Sequence, residues 1–314
     1  MMVVYHSASS SRDAQVNLGV TYAIPFIHGA FLAITGFLCG YHYWPMIHRS
    51  RETVVKRLFV RAAKLALLFA ACNIALCVMG VGPQLGRLPV VLGDVRAVAT
   101  NCIVGISGEY FSFEVLMYIA EFLCLAAMVA RYSRVAHPIL AVVVFLAVIV
   151  GGNTLLFLAF GAVGMEVGIA AGKGWLLAYD RRLRKARIAL LLFLAASTVI
   201  RSGYEPLVSN AVKLPLRFIE TILWFYVFVG FAGGWQWCVD RLVILGKYTL
   251  FAYLFQMFVL RVLVRTGDST GVSGWHGYFL HAIITMIVTY AAVILLDQLR
   301  RRDEVDAFYR LAFG

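Results

Sequence analysis

The chain has 314 residues, of which 62% are hydrophobic and only 14% charged, with a mean hydropathy of +0.84. Soluble domains carry about 25% charged residues, so this composition describes an integral membrane protein and excludes a water-soluble enzyme, a nucleic-acid binder and a disordered tail protein. The net charge of +12 does not reverse that conclusion, because the 28 Lys and Arg stand between apolar runs and mark topology rather than a nucleic-acid surface.

Apolar runs follow one another at residues 20–44, 58–80, 110–130, 138–151, 154–178, 188–201, 214–234, 242–263 and 277–298. Their lengths suit membrane helices and not the roughly ten-residue alternating strands of a barrel. The fold class is therefore all-α: a polytopic transmembrane helix bundle of about nine full spans within a single domain, 1–314. The runs at 138–151 and 188–201 are short and call for tilt or local thinning.

The opening MMVVYHSASS is an apolar stub too short to cross a bilayer. With the N-terminus outside, the inner connections and tail hold 17 Lys and Arg against 6 in the outer ones. That bias puts the C-terminus in the cytoplasm. The stub then ends on the outer face, either as the last third of a preceding inside-to-outside helix, an N-terminal partial helix, or as the short disordered tail of an N-out protein.

Cys39, Cys72, Cys77, Cys124 and Cys238 fall in or beside apolar runs without metal-ligand spacing, and are read as small core hydrophobes; no metal site is expected. No cleavable signal peptide is visible at the start.

Ionisable groups within spans are costly and mark candidate sites. Glu114 and Glu121 lie seven apart on one helix face. Glu166, Arg261 and the pair Arg217 and Glu220 complete the set. Arg57, Arg61 and Lys64, at i, i+4 and i+7, make a cationic stripe at the inner end of the second full span, suited to phosphate groups. His6, in VVYHSA, offers an imidazole of the kind that activates hydroxyls near neutral pH, while His28 and His42 read as mainly structural.

Taken together, VVYH, IPFIHGAFLAITGFLCGYHY, the basic KRLFVRAAKL and the late LVILGKYTLFAYLFQMFVLRVL resemble the acyltransferase-3 family of bacterial membrane acyltransferases; FSFEVLMYIAEFL, with Glu114, matches a further family segment. The resemblance implies ten helices and transfer of an acyl group, most often acetyl, from cytoplasmic acyl-CoA to a hydroxyl of a surface glycan, glycolipid or exported small molecule. The co-substrate is acyl-CoA, no cofactor stays bound, and the location is the bacterial inner membrane.

On this resemblance His6 is the catalytic histidine, Arg57 and Arg61 with Lys64 hold the acyl-CoA phosphates, and Glu114 or Glu166 orients the imidazole, with Thr35 and Gln256 as further supporting polar groups. The chain departs from the pattern where Thr35 replaces a serine, where Gln256 replaces a late histidine, and where Arg57 and Arg61 stand one residue further apart. A reading from another class is a small transporter or flippase, with Glu114, Glu121, Glu166 and Arg261 lining a polar path and the Gly-rich 160–174 as a discontinuous helix.

Overall fold

The structure, a computed structural model, describes residues 27–78, 114–150, 153–173, 219–220, 223, 247–270 and 274–313. The runs at 188–201 and most of 214–234 lie outside these residues, as do His6, Arg217, Cys238 and the basic segment 181–187. So do the side chains of His28, Cys77, Glu114 and Arg261, although their backbones are helical.

Helix is the regular structure throughout the described residues. In chain order these are α1 (Ile27–Leu38), continued by a π-helical turn Cys39–Tyr43; α2 (Trp44–Val78); α3 (Glu114–Arg131); a 3-10 turn Ser133–Val135; α4 (Ala136–Val150); α5 (Asn153–Gly172); α6 (Thr249–Thr270); α7 (Gly274–Leu299); and α8 (Asp303–Phe313). These helices occupy the apolar runs read from the sequence wherever those runs are described. Segments Ser133–Val150, Leu155–Gly172 and Phe279–Leu299 are long and apolar enough to cross a membrane. α2 is broken at Ser50 (φ −154°, ψ 61°), so the connection between the first two apolar runs is itself helical with one break in it.

The described residues group into two compact units. The first combines residues 27–63 with 118–150 and 153–173. Its centre is the contact between α1 and α5. Gly29 meets Phe160, Ala33 meets Gly164, Phe37 meets Gly168 and Tyr41 approaches Gly172, so the helices run parallel in a constant register.

Side chains are excluded from this contact. A Cβ on Gly36 would run into the carbonyl oxygen of Gly161, one on Gly40 into that of Met165, one on Gly164 into that of Ala33 and one on Gly168 into that of Phe37. Where lipid surrounds the helices there is little hydrophobic drive between them, so small residues that let backbones touch supply the van der Waals contact. The other face of α5 receives α3, where Phe122 fills the space above Gly161 and Tyr118 stacks on Phe157 at 4.4 Å.

Gly161, Gly164 and Gly168 of FGAVGMEVGIAAGKG thus serve packing, and α5 is continuous from Asn153 to Gly172. This corrects the expectation of a discontinuous helix at 160–174. A glycine stripe that receives a neighbouring backbone keeps the α-helical ladder intact.

The second unit combines 64–78 and 114–117 with α6, α7 and α8. α7 is apolar outward: Phe279, Leu280, Ile283, Met286, Ile287 and Leu295 are exposed, whereas Ala282, Thr285, Thr289 and Val293 are buried. A helix whose large apolar side chains point out and whose small and hydroxyl-bearing ones point in is built for a lipid solvent. The hydroxyl of Tyr248 donates to Asp297 Oδ1 at 2.6 Å, so α6 and α7 pair with residue numbers summing to about 545 and Gln256 falls level with Thr289.

At the end of this unit Tyr248, Val293 and Tyr309 form a core with Phe251, Ala252 and Leu296 around it. α8 is docked there. It is acidic in its first turn and closes on Arg310, as the helix dipole favours.

Candidate functional site

In the first unit, helix ends converge on one side. Arg51, just after the break in α2, donates to Ser133 Oγ in the 3-10 turn at 3.4 Å. His137, at the start of α4, holds Glu166 near the end of α5, its Nδ1 lying 2.7 Å from Oε1 and 2.9 Å from Oε2. The indole of Trp44 lies beside the His137 ring, with centroids 6.0 Å apart and a 50° tilt. Tyr41 stacks on Phe37 and meets His42 edge-on at 5.1 Å.

A bidentate approach by both carboxylate oxygens fixes the His137 ring and leaves Nε2 unclaimed by Glu166. Both side chains stay accessible, at 57% and 37% of their full exposure. The sequence reading gave Glu166 the task of orienting an imidazole. That expectation gave Glu114 or Glu166 to His6, which lies outside the described residues; the imidazole Glu166 holds here is His137, which was not singled out: a histidine opening an apolar run looks like a boundary residue, and nothing in the spacing links it to a carboxylate on another helix.

The same end is strongly basic. Arg49, Arg51, Lys56, Arg57, Arg61, Arg131, Arg134 and Lys173 are all exposed there, against Glu52 and the His137-bound Glu166. The guanidinium of Arg61 lies over the Tyr43 ring at 5.7 Å, which steadies it without neutralising it. Arg57 and Arg61 therefore stand as the sequence pattern places them, one turn apart on α2.

Lys64, the third member of the stripe, belongs to the other unit. It is half-buried and donates to the backbone carbonyl of Arg310 at 3.4 Å. The stripe of three cations is thus divided, with two facing solvent and the third tied to α8.

The remaining expected site residues are dispersed. The Thr35 hydroxyl donates to the Phe31 carbonyl one turn back at 2.7 Å, a local bond common for hydroxyls in membrane helices. Gln256 is buried on α6, in the second unit. Glu114 opens α3, and Glu220 is buried. Cys39 and Cys72 are buried free thiols, in keeping with their reading as core hydrophobes. Among the described residues no three His, Cys, Asp or Glu side chains gather as a metal site would require.

The second unit holds a polar and aromatic knot that sequence reasoning missed. Asp297 accepts from Tyr248 and, at 3.0 Å, from Lys247 Nζ. Arg300 lies over the rings of Tyr309 and Tyr248 at 4.2 and 5.4 Å and binds Asp306, which also takes Arg310 at 2.6 Å. In the sequence Lys247 and Arg300 served only as topology signals. The i, i+4 pair Asp306 and Arg310 was the available sign that the tail is an ordered helix.

No family model, curated protein or solved structure matches this chain. Fold and site together define its class: a chain that is helical in its described residues, with three helices long and apolar enough to cross a membrane and, in the first unit, a cationic end around a carboxylate-held histidine.

Proposed function

We propose that the chain is a membrane acyltransferase that moves an acyl group, acetyl in the simplest case, from cytoplasmic acyl-CoA to a hydroxyl of a surface glycan, glycolipid or exported small molecule. The observation that carries this reading is the basic end of the first unit, where Arg57 and Arg61 are exposed on one stripe and Arg51, Arg131 and Arg134 stand on the adjoining turns. A polyanionic donor is attracted to such an end from a distance and held by charge-assisted hydrogen bonds. The resemblance of the opening and late motifs to the acyltransferase-3 family supports the same reading.

Within it, Arg57 and Arg61 bind donor phosphates, and His6 takes the proton from the acceptor hydroxyl as that oxygen attacks the thioester carbonyl. The C–S bond then breaks and the thiolate recovers a proton. His137, fixed by Glu166 beside Trp44, lies at the donor end and offers an imidazole and an aromatic surface to the donor's nucleotide. The setting is a bacterial inner membrane with the basic end in the cytoplasm.

Hydrogen bonds to charged groups contribute about 1.5–3 kcal/mol each, so Arg57→Ala combined with Arg61→Ala should weaken acyl-CoA binding by roughly a hundredfold or more. Binding of labelled acetyl-CoA to purified protein reads this directly. His6→Ala should leave binding intact and remove acyl groups from the cell's glycan, measured by mass spectrometry. Unchanged acyl content in both variants would overturn the assignment.

A further inference from the structure

Glu121 lies ten residues before the Arg131 end of α3, hence about 15 Å along the helix from the basic end at 1.5 Å per residue. Its Oε2 is completely enclosed and, among the described residues, receives no hydrogen bond. Among the described residues no Lys or Arg pairs with it. On its own helix the titratable side chains within a turn are Tyr118, stacked on Phe157, and Cys124. α4 and α5 each carry one titratable group, His137 and Glu166, and these are engaged with each other. α1 and its π turn carry His28, Cys39, Tyr41, His42 and Tyr43.

Of the other carboxylates in this unit, Glu166 has its imidazole, while Glu220, like Glu121, has an enclosed Oε2. An ionised carboxylate enclosed in an apolar bundle without donor or cation costs several kcal/mol, and a bound proton removes that cost. We propose that Glu121 is a proton-binding site inside the helix bundle, carrying its proton in the resting protein and releasing it when a hydrogen-bond donor or cation reaches Oε2. This goes beyond acyl transfer and does not depend on it, since a proton-linked transporter would need the same group.

A lipophilic carbodiimide tests it, using the full chain in native membranes. With dicyclohexylcarbodiimide the acid's proton moves to a carbodiimide nitrogen, the carboxylate oxygen bonds to the central carbon, and an O-to-N acyl shift leaves a stable N-acylurea. Peptide mapping by mass spectrometry should find Glu121 modified, several-fold more at mildly acidic than at alkaline pH, and several-fold less by a charged, water-soluble carbodiimide. Glu121→Gln should remove that adduct, while Glu166→Gln leaves it in place. An unmodified Glu121, equal modification by both reagents, or a pH-independent yield would each overturn the proposal. Acetyl-CoA binding by Glu121→Gln, measured in parallel, separates this outcome from the fate of the acyltransferase reading.

Discussion

Replacing Gly164 or Gly36 by leucine should abolish the native fold of the first unit. At either position even a Cβ would occupy the space of a carbonyl oxygen on the facing helix, so α1 and α5 must separate along the whole length of their contact. Overpacking a core costs about 1–3 kcal/mol where side chains can give way. Here the obstacle is backbone, which cannot rotate aside, and the cost exceeds that range. A native protein is stable by only about 5–15 kcal/mol, so one such change removes a large part of the margin.

Gly172→Ala is the matched control. Its Cβ would lie 4.0 Å from the Tyr41 carbonyl oxygen, an ordinary contact. Because Gly172 closes α5, where the helix-interior preference for alanine is largely absent, this variant should be near neutral. Thermal unfolding in detergent, followed by size-exclusion chromatography, distinguishes the cases: aggregation of Gly164→Leu beside an unchanged Gly172→Ala is the expected pattern. Equal melting temperatures for both would mean that the glycine crossing does not hold the unit together.

This crossing also shows what the sequence can convey about the fold. The runs that become α1 and α5 are plain from hydropathy, and their glycine spacing is visible in the chain. What spacing cannot express is the partner. Gly161, Gly164 and Gly168 read equally well as flexible points or as a packing stripe, and only the facing carbonyls of Ala33 and Phe37 decide between them.

The cations behave differently. Exposed charges are placed by helix periodicity alone, so Arg57 and Arg61 were legible as a pair. Lys64 was not, because its role depends on Arg310, 246 residues away. His137 was missed for a related reason, its carboxylate coming from α5 and not from its own helix.

The C-terminal helix should come undocked in acid and on loss of Asp306. Its attachment runs through Asp306, which binds Arg300 as well as Arg310 of its own helix, through Lys64, which donates to the Arg310 carbonyl, and through Tyr309, whose hydroxyl reaches the Lys247 carbonyl at 3.5 Å. The hydrogen bond from Arg300, joined by the charges of Arg300 and Arg310, holds the Asp306 carboxyl below the ordinary carboxylate range against a smaller opposing effect of burial. Burial alone would lower the Arg300 pKa, but the bond to Asp306 and the nearby Tyr248 outweigh it and raise it instead. Burial pushes the Tyr309 hydroxyl up, so it stays neutral and able to donate.

A carboxylate with a depressed pKa contributes stability that is complete above its unfolded value and is lost as the pH falls through its folded value. The docking of α8 should accordingly be constant through neutral pH and fail only below the ordinary carboxylate range. Asp306→Asn removes the charge at every pH and should free α8 even at neutrality, leaving the Arg300 guanidinium over the tyrosine rings with no carboxylate beside it.

Tyr248→Phe probes the same knot from inside. Tyr248 is completely buried and its hydroxyl bonds Asp297, which keeps its bond from Lys247 in the variant, so the change should cost about 0.5–1.5 kcal/mol, the net contribution of one hydrogen bond. Amide hydrogen exchange across 303–313 measures both effects. Protection should collapse in Asp306→Asn with α6 and α7 unaffected, whereas Tyr248→Phe should lower protection in α6, α7 and α8 together, since its ring is the floor on which Arg300 and Tyr309 rest. If Asp306→Asn leaves exchange across 303–313 unchanged at neutral pH, the tyrosine rings and the bond from Lys64 to the Arg310 carbonyl hold α8, and its docking should then be insensitive to acid as well.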